Sequence, residues 1–221
     1  MRYYYKSING GKVGMVGTIL ILSPHTDDGE LGCGGSIARF VDEGKEVYYV
    51  ALSTCEKSVP AGCPIDILMH EVRKATKVLG IENLLLYGFE VREFPRLRQN
   101  ILDALIEIRK EINPDIVLAP SSYDTHQDHK IVREETLRAF KKCTILGYEQ
   151  PWNNITFNTM AFIPLKKIHI LKKIEALNCY ETQKDKGYFY EDFIKGLAQT
   201  RGTQIEEEYA EAFEVIRWVI R

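Results

Sequence analysis

The 221-residue sequence lacks paired cysteines, an excess of basic residues and any apolar run long enough to cross a membrane. Its five cysteines stand singly, with no CxxC pair, which argues against a disulfide framework and favours a reducing compartment. The formal net charge of −2 gives no basic surface for nucleic acid. The longest apolar N-terminal run, VGMVGTILIL at residues 13–22, is too short for a bilayer and predicts a buried strand. We therefore expect a cytoplasmic protein without nucleic-acid or membrane partners.

Short strand-like runs alternate with longer runs of helical period along the first two thirds of the chain. The strand-like runs are apolar throughout, which is typical of a parallel sheet covered by helices on both faces. They cover residues 17–24, 46–53, 83–89 and 115–122. The pattern predicts an α/β fold with a Rossmann-like, doubly wound, mostly parallel sheet and a C-terminal elaboration.

No linker rich in glycine, serine or proline divides the chain, and no repeat is present. We expect one domain over residues 1–221, with a Rossmann-like core at 15–145 and the C-terminal elaboration at 146–221. The elaboration is predicted to add two strands and a long helix, over residues 142–150, 155–165 and 166–183.

Two polar clusters follow two of the predicted strands. The first strand runs into SPHTDDGELGCGG, which places His25, Asp27 and Asp28 directly after it. The fourth strand is followed by YDTHQDH at residues 123–129. Because ligands bind beyond the carboxyl ends of parallel strands, we expect both clusters at one edge of the sheet.

The two clusters together contain a three-ligand set for a divalent metal: His25, Asp28 and His129. Imidazole nitrogen and carboxylate oxygen are good zinc ligands, and a catalytic zinc keeps one position open for water. Another divalent metal such as Fe²⁺ is an alternative. The sequence therefore predicts a catalytic metal site, with Zn²⁺ as the first choice.

Three further residues of the clusters have chemistry that suits hydrolysis of an amide or ester. Asp27 is placed to take a proton from metal-activated water, and His126 to stabilise an oxyanion or to protonate a leaving amine. Asp128 is placed to orient a histidine.

Each cluster alone also has a simpler interpretation. Asp27 and Asp28 fit a helix N-cap beside a solvated acid, and Asp128 fits the cap of a helix over residues 130–140. The glycines of GELGCGG are expected to form a tight turn that brings the next helix close to the sheet. Their spacing does not match the GxGxxG of a dinucleotide loop.

PHTDDGELG together with DTHQDH resembles the two signatures of the LmbE-like, or PIG-L-type, N-deacetylases of amino sugars, which are zinc-dependent enzymes on a Rossmann-like fold. The resemblance extends in order over HEVRKATKVLG, YEQPWN, KKIEALNCYETQ and RGTQIEEEYAEAF, and so covers nearly the whole chain. It implies the same roles that the residue chemistry suggests. These are metal ligation by His25, Asp28 and His129, general base catalysis by Asp27, and stabilisation or acid catalysis by His126, with Asp128 paired to His126.

Two positions depart from the family pattern. Many relatives have a substrate-contacting arginine near the start of the second helix, where this chain has Leu68; Arg73 lies more than one helical turn away. Some relatives have a tyrosine two residues before the first histidine of the second motif, where this chain has Asp124, with Tyr123 one position earlier. The resemblance therefore implies the hydrolytic residues and leaves the substrate contacts open.

These observations predict a metal-dependent hydrolase that removes the N-acetyl group from an N-acetylglucosamine-like sugar or sugar conjugate. Tyr148 and Trp152 are candidates to line its pocket, with core packing as the alternative. A phosphoacceptor signalling domain also places an acidic pair after its first strand, but it needs an aspartate after the third, where LLLYGFEVRE has only glutamates. A catalytically inactive relative that only binds metal is the other alternative. The sequence leaves open whether the protein forms a homo-oligomer.

Overall fold

One mixed sheet of eight strands forms the centre of the computed structural model, which describes residues 2–6 and 17–220. In chain order the strands are β1 (Arg2–Lys6), β2 (Thr18–Ser23), β3 (Glu46–Ala51), β4 (Asn83–Tyr87), β5 (Ile116–Pro120), β6 (Thr144–Tyr148), β7 (Ala161–Leu165) and β8 (Tyr209–Arg217). Their spatial order is β1-β4-β3-β2-β5-β6-β8-β7.

Five neighbouring strands, β4, β3, β2, β5 and β6, are parallel, and β1, β8 and β7 add antiparallel edges. The predicted α/β fold is therefore confirmed. Residues 13–16 of the predicted N-terminal strand lie outside the described residues, as do residues 1, 7–12 and 221 of the predicted domain. The division into a core and an elaboration stays a prediction.

Six α-helices cover the two faces of the sheet within the described ranges: α1 (Asp28–Asp42), α2 (Ile67–Val78), α3 (Arg98–Ile112), α4 (Gln127–Ala139), α5 (Lys167–Leu177) and α6 (Glu191–Thr203). Side chains of β2 alternate between the faces: Ile19 and Ile21 pack with α1, α2, α5 and α6, whereas Leu20 and Leu22 pack with α3 and α4. No helix in these ranges has the length and apolar character to cross a membrane.

The C-terminal elements differ from the expected boundaries. The helix predicted over 166–183 ends at Leu177, because the chain then turns to bury Tyr180 beneath the loop that follows β2. The strand predicted over 155–165 begins only at Ala161, and Ile155 is exposed. The last strand, β8, was not predicted; it inserts between β6 and β7.

The glycines after the acidic pair lie inside α1 and not in a turn, since α1 begins at Asp28. They do permit the expected close packing. A Cβ on Gly32 would lie 2.3 Å from the Tyr148 ring, and that ring is buried, with its hydroxyl donating a hydrogen bond to the Leu22 carbonyl at 3.0 Å. Gly32 therefore allows α1 to lie directly on the sheet.

A buried ion pair stabilises a kink in α1 at Cys33, whose φ of −148° is not helical. Lys173 donates to the Leu31 carbonyl at 2.7 Å on one side of the kink and contacts Glu211 at 2.6 Å. Glu211 accepts hydrogen bonds from the backbone nitrogens of Gly35 and Ser36 on the other side. The pair thus satisfies the backbone groups that the kink frees.

We predict that Gly32→Ala destabilises the fold by about 1–3 kcal/mol, because the new methyl group overlaps a ring that is fixed by its own hydrogen bond. Urea unfolding measures the change. Gly196→Ala in α6 is the matched control: its Cβ meets nothing within 4 Å, so helix propensity should stabilise it by up to about 1 kcal/mol. Equal stability of the wild type and Gly32→Ala would contradict the close packing.

Candidate metal centre

The loops after β2 and β5 lie side by side because these strands are parallel neighbours in the sheet. His25, Asp27 and Asp28 follow β2, and residues 123–129 follow β5. Nδ1 of His25 and Nε2 of His129 are 3.2 Å apart, although the two residues are 104 positions apart in sequence. The predicted convergence of the two polar clusters is confirmed.

Three donor atoms from three side chains form a nearly equilateral triangle. Asp28 Oδ2 lies 3.0 Å from His25 Nδ1 and 3.1 Å from His129 Nε2, and the two nitrogens are 3.2 Å apart. Ligands at about 2.0–2.1 Å from a tetrahedral zinc ion are roughly 3.4 Å from one another. The donor types and spacing therefore fit a divalent ion after a small outward shift.

Each member of this donor triangle is held by a further side chain. Asp128 Oδ2 lies 3.1 Å from His25 Nε2, and Asp124 Oδ2 lies 2.8 Å from His129 Nδ1. Gln150 donates to Asp28 Oδ1 at 3.0 Å. Such partners fix the orientation and tautomer of metal-binding side chains.

Asp128 differs from its expected pairing with His126. Its carboxylate contacts His25 and accepts a hydrogen bond from the Arg92 backbone at 2.7 Å, and only its backbone nitrogen faces His126. The simpler alternative, in which Asp128 caps the helix, is also wrong, because the N-cap of α4 is His126. Asp128 is fully buried within the site.

His126 presents a third imidazole to the same space. The ring nitrogens of His25, His126 and His129 lie within 4.8 Å of one another, so an all-histidine set is a second way for these described residues to hold an ion. Nδ1 of His126 accepts a hydrogen bond from the Asp128 backbone at 3.2 Å. The proton of the neutral ring is then on Nε2, which makes that atom a hydrogen-bond donor.

The charges around the triangle attract cations. Burial disfavours a charged His25, but Asp28 and Asp128 outweigh it and raise the pKa of His25 to about 9. Burial likewise disfavours a charged His129, yet Asp28 and Asp124 raise its pKa to about 10. Burial also disfavours ionised Asp28, but the two histidines hold its pKa well below the usual range. A divalent cation here would replace ring protons, since metal ligands must be deprotonated.

Asp27 occupies the N-cap position of α1, but its side chain makes no capping hydrogen bond. The simpler interpretation is therefore right about the position of Asp27 at the start of the helix, but its side chain does not cap the helix. The half-buried side chain lines the pocket beside the donor triangle. Burial and the adjacent Asp28 carboxylate raise the pKa of Asp27 to about 6, against the opposing charges of Lys186 and His25. The two neighbouring carboxylates thus have different environments: Asp28 lies between two imidazoles, and Asp27 faces the cavity.

A buried hydrogen-bond cluster supports the loop that carries these residues. The hydroxyls of Tyr49 and Tyr180 lie 3.0 and 2.7 Å from the Thr26 carbonyl oxygen, and both also contact the Glu30 carboxyl group. Burial raises the pKa of Glu30 to about 8, so this group is mostly neutral near pH 7. The cluster fixes the carbonyl group immediately before Asp27.

A cavity of about 290 Å³ opens beside the donor triangle. Leu68, which stands where many relatives have an arginine, lies on the wall of the cavity. It packs there in an apolar cluster with Cys55 and Val91. Trp152 also lines the cavity and stacks on Tyr188, with ring centroids 4.1 Å apart. Tyr148, the other aromatic candidate, is a core residue beneath α1.

Several residues of the site were not identified from the sequence. Gln150 follows β6 within YEQPWN, a segment that shares in the family resemblance but that indicates no contact with Asp28. Asp124 was recognised only as a departure from the family pattern, whereas it holds His129. Arg92 and Lys186, which line the cavity, lie in segments without a recognisable motif.

Known proteins resemble this chain in sequence. The family model described as "PIG-L: GlcNAc-PI de-N-acetylase" matches residues 20–140, more than half of the chain. The "Uncharacterized deacetylase YaiS" of Escherichia coli (strain K12) is 29% identical over 170 residues, which cover 74% of this chain and 90% of that protein. The "Probable N-acetyl-alpha-D-glucosaminyl L-malate deacetylase 2" of Bacillus anthracis is 25% identical and covers 92% of each chain.

Solved structures share the fold. The N,N'-diacetylchitobiose deacetylase from Pyrococcus horikoshii, at 22% identity, has a TM-score of 0.76 over 91% of this chain and 84% of its own. The family match over residues 20–140 includes both loops of the donor triangle. The chain therefore belongs to the PIG-L: GlcNAc-PI de-N-acetylase family.

Proposed function

We propose that the protein is a zinc-dependent deacetylase that hydrolyses the N-acetyl group of an N-acetylglucosamine-like sugar or sugar conjugate. The observation that carries the proposal is the donor triangle beside Asp27, whose half-buried side chain makes no capping hydrogen bond. Membership of a de-N-acetylase family and the names of the relatives support the reaction class. A phosphoacceptor site lacks support, because no aspartate lies among residues 88–92 after β4.

His25, Asp28 and His129 would hold the ion, since their donor atoms already face one another and each has its own orienting partner. A bound divalent ion supplies Lewis acidity, which lowers the pKa of water and polarises an amide carbonyl. Zn²⁺ suits two nitrogens and one oxygen, and Fe²⁺ is the alternative. In this arrangement His126 is a hydrogen-bond donor through Nε2 and not a ligand of the metal ion.

The remaining residues supply proton transfers. Asp27 accepts a proton from the attacking water, whose oxygen forms the new bond to the acetyl carbonyl carbon. The Nε2–H group of His126 can donate a hydrogen bond to the oxyanion that develops on that carbonyl. The C–N bond then breaks, the amine receives the proton, and the products are acetate and a free amino sugar.

The sugar class rests on the family description and on the relatives. The family description names GlcNAc-PI as the molecule that is de-N-acetylated, and one relative is named for an N-acetyl-alpha-D-glucosaminyl L-malate conjugate. The aromatic pair of Trp152 and Tyr188 offers an apolar surface for one face of a sugar ring. The cytoplasmic location and a homo-oligomeric state stay predictions.

Asp27→Asn should lower the rate of acetate release about 10²–10⁴-fold, because the amide cannot accept the proton. Acetate release from N-acetylglucosamine conjugates, together with the metal content, measures the effect. Asp103→Asn, an exposed carboxylate on α3, is the control and should keep full activity. Equal turnover by wild type and Asp27→Asn would remove Asp27 from the base role. Bound metal without acetate release from any conjugate would favour an inactive relative.

Asp124→Asn should weaken metal affinity about 10–100-fold, because His129 loses the carboxylate that fixes its ring. Competition with a fluorescent zinc chelator measures the affinity. Asp66→Asn is the matched control, since Asp66 contacts His70 at 3.0 Å in an exposed pair and neither residue lines the cavity. Unchanged affinity in Asp124→Asn would contradict the assignment of His129 as a ligand.

A further inference from the structure

The carboxylate of Asp28 has two oxygens, and the donor triangle uses only one of them. The other, Oδ1, accepts a hydrogen bond from the side-chain amide of Gln150 at 3.0 Å. We propose that Gln150 is a positioning residue that restricts Asp28 to one metal-binding oxygen, and that this restriction makes the site prefer Zn²⁺ over ions that take more oxygen ligands. The metal rests on the proposed function, whereas the restriction rests on contacts of the described residues.

The two oxygens of Asp28 have separate sets of partners. Oδ2 lies within 3.1 Å of ring nitrogens of His25 and His129, and it also accepts a hydrogen bond from the His25 backbone nitrogen at 2.8 Å. A carboxylate that chelates one ion must turn both oxygens toward it. Asp28 could do so only by giving up the hydrogen bond from Gln150. That would leave an amide hydrogen unpaired on a side chain that is fully buried, which is unfavourable.

The orientation of the Gln150 amide follows from its own hydrogen bonds. Nε2 lies 3.0 Å from Asp28 Oδ1 and 3.3 Å from the Asp28 carbonyl oxygen, so both of its hydrogens face acceptors. Oε1 accepts a hydrogen bond from Asn153 Nδ2 at 3.3 Å. A reversed amide would bring Oε1 against two acceptor oxygens and Nε2 against a donor. Gln150 therefore presents a donor to Asp28 and not an acceptor.

The backbone turn that carries Gln150 is tied to the end of β5. The backbone nitrogens of Asn153 and Asn154 donate to the Gln150 carbonyl at 2.9 and 3.0 Å. The Gln150 nitrogen donates to Asn154 Oδ1 at 2.8 Å. Asn154 Nδ2 in turn donates at 2.8 Å to the hydroxyl of Ser121, the residue after β5. The amide that contacts the first loop of the donor triangle is thus anchored to the second loop.

Gln150 acts on its partner differently from Asp124 and Asp128. Those two carboxylates contact the ring nitrogens of His129 and His25 that are not part of the triangle, so they set the tautomer of each ring. An imidazole held in this way offers one nitrogen to an ion, whereas a carboxylate can offer one oxygen or two. Gln150 therefore controls the number of ligand atoms, and the two carboxylates control only how well the nitrogens bind.

The number of oxygen ligands distinguishes divalent ions. Zn²⁺ binds well to two nitrogens and one oxygen, with a fourth position open for water. Mn²⁺ is suited by carboxylate and water oxygens in a larger set of ligands. With Gln150 in place, Asp28 offers one oxygen; without it, Asp28 is free to offer two. Loss of Gln150 should therefore favour Mn²⁺ relative to Zn²⁺ and fill the position that zinc keeps open.

Metal affinities test the inference. Competition with a fluorescent chelator measures the dissociation constants of Zn²⁺ and Mn²⁺ for the full chain. In Gln150→Met, which matches glutamine in length but donates no hydrogen bond, the ratio of the Mn²⁺ to the Zn²⁺ constant should fall about fivefold or more. Gln183→Met is the matched control, because the amide of this other buried glutamine on the cavity wall donates to Thr182 at 3.0 Å. Its ratio should equal that of the wild type.

Bound Co²⁺ reports the number of ligands, because its visible absorption weakens as the coordination number rises above that of a tetrahedral site. Co²⁺-loaded Gln150→Met should absorb more weakly than the Co²⁺-loaded wild type, and Gln183→Met should match the wild type. Gln150→Asn, whose amide is one methylene too short to reach Oδ1 in the same way, should give the same changes. It replaces Gln150→Met if methionine prevents folding.

The two readouts separate this inference from the proposed function. A lower ratio with weaker Co²⁺ absorption in the Gln150 variants alone supports the restriction of Asp28, even if no N-acetyl sugar is hydrolysed. Equal weakening of Zn²⁺ and Mn²⁺ binding would indicate a merely structural role. That result, an unchanged ratio, unchanged Co²⁺ absorption, or a wild type that binds none of these ions overturns the inference, whether or not the wild type releases acetate.

Discussion

The contact of one carboxylate oxygen with two imidazole nitrogens is the interaction on which the rest of the structure depends. Asp28 Oδ2, His25 Nδ1 and His129 Nε2 lie within 3.0–3.2 Å of one another. The atoms come from loops after two adjacent parallel strands, so the sheet brings them together. The preference of these atoms for a cation explains why an acidic pair stands at the start of α1. The charge of Asp28 is compensated within the triangle, and the neighbouring Asp27 is free to face the cavity.

The surrounding structure fixes α1 and the loop before it. Gly32 allows α1 to lie against Tyr148, the Lys173–Glu211 pair stabilises its kink, and the Glu30 cluster holds the preceding carbonyl. A buried ion pair is costly to desolvate, but here both charges also satisfy backbone groups that would otherwise be unpaired. The stability of the fold around α1 and the alignment of Asp27 and Asp28 therefore depend on the same three sets of contacts.

The sequence predicts the parallel core and the convergence of the two motifs, because both follow from short-range patterns: apolar strands and polar residues directly after them. It does not predict Gln150 or Arg92, whose positions depend on how distant loops meet. Asp128 shows the limit most clearly. The family resemblance implies that it pairs with His126, yet His126 caps the helix and the Asp128 side chain contacts His25. The insertion of β8 beside β6 likewise depends on tertiary packing.

A crystal structure of the zinc-loaded protein, with anomalous data collected on both sides of the zinc absorption edge, tests the central claim most directly. The account predicts one anomalous peak at about 2.0–2.2 Å from His25 Nδ1, His129 Nε2 and Asp28 Oδ2, with His126 outside bonding distance. An ion bound by His25, His126 and His129 without Asp28, or no ion between these side chains, would contradict it.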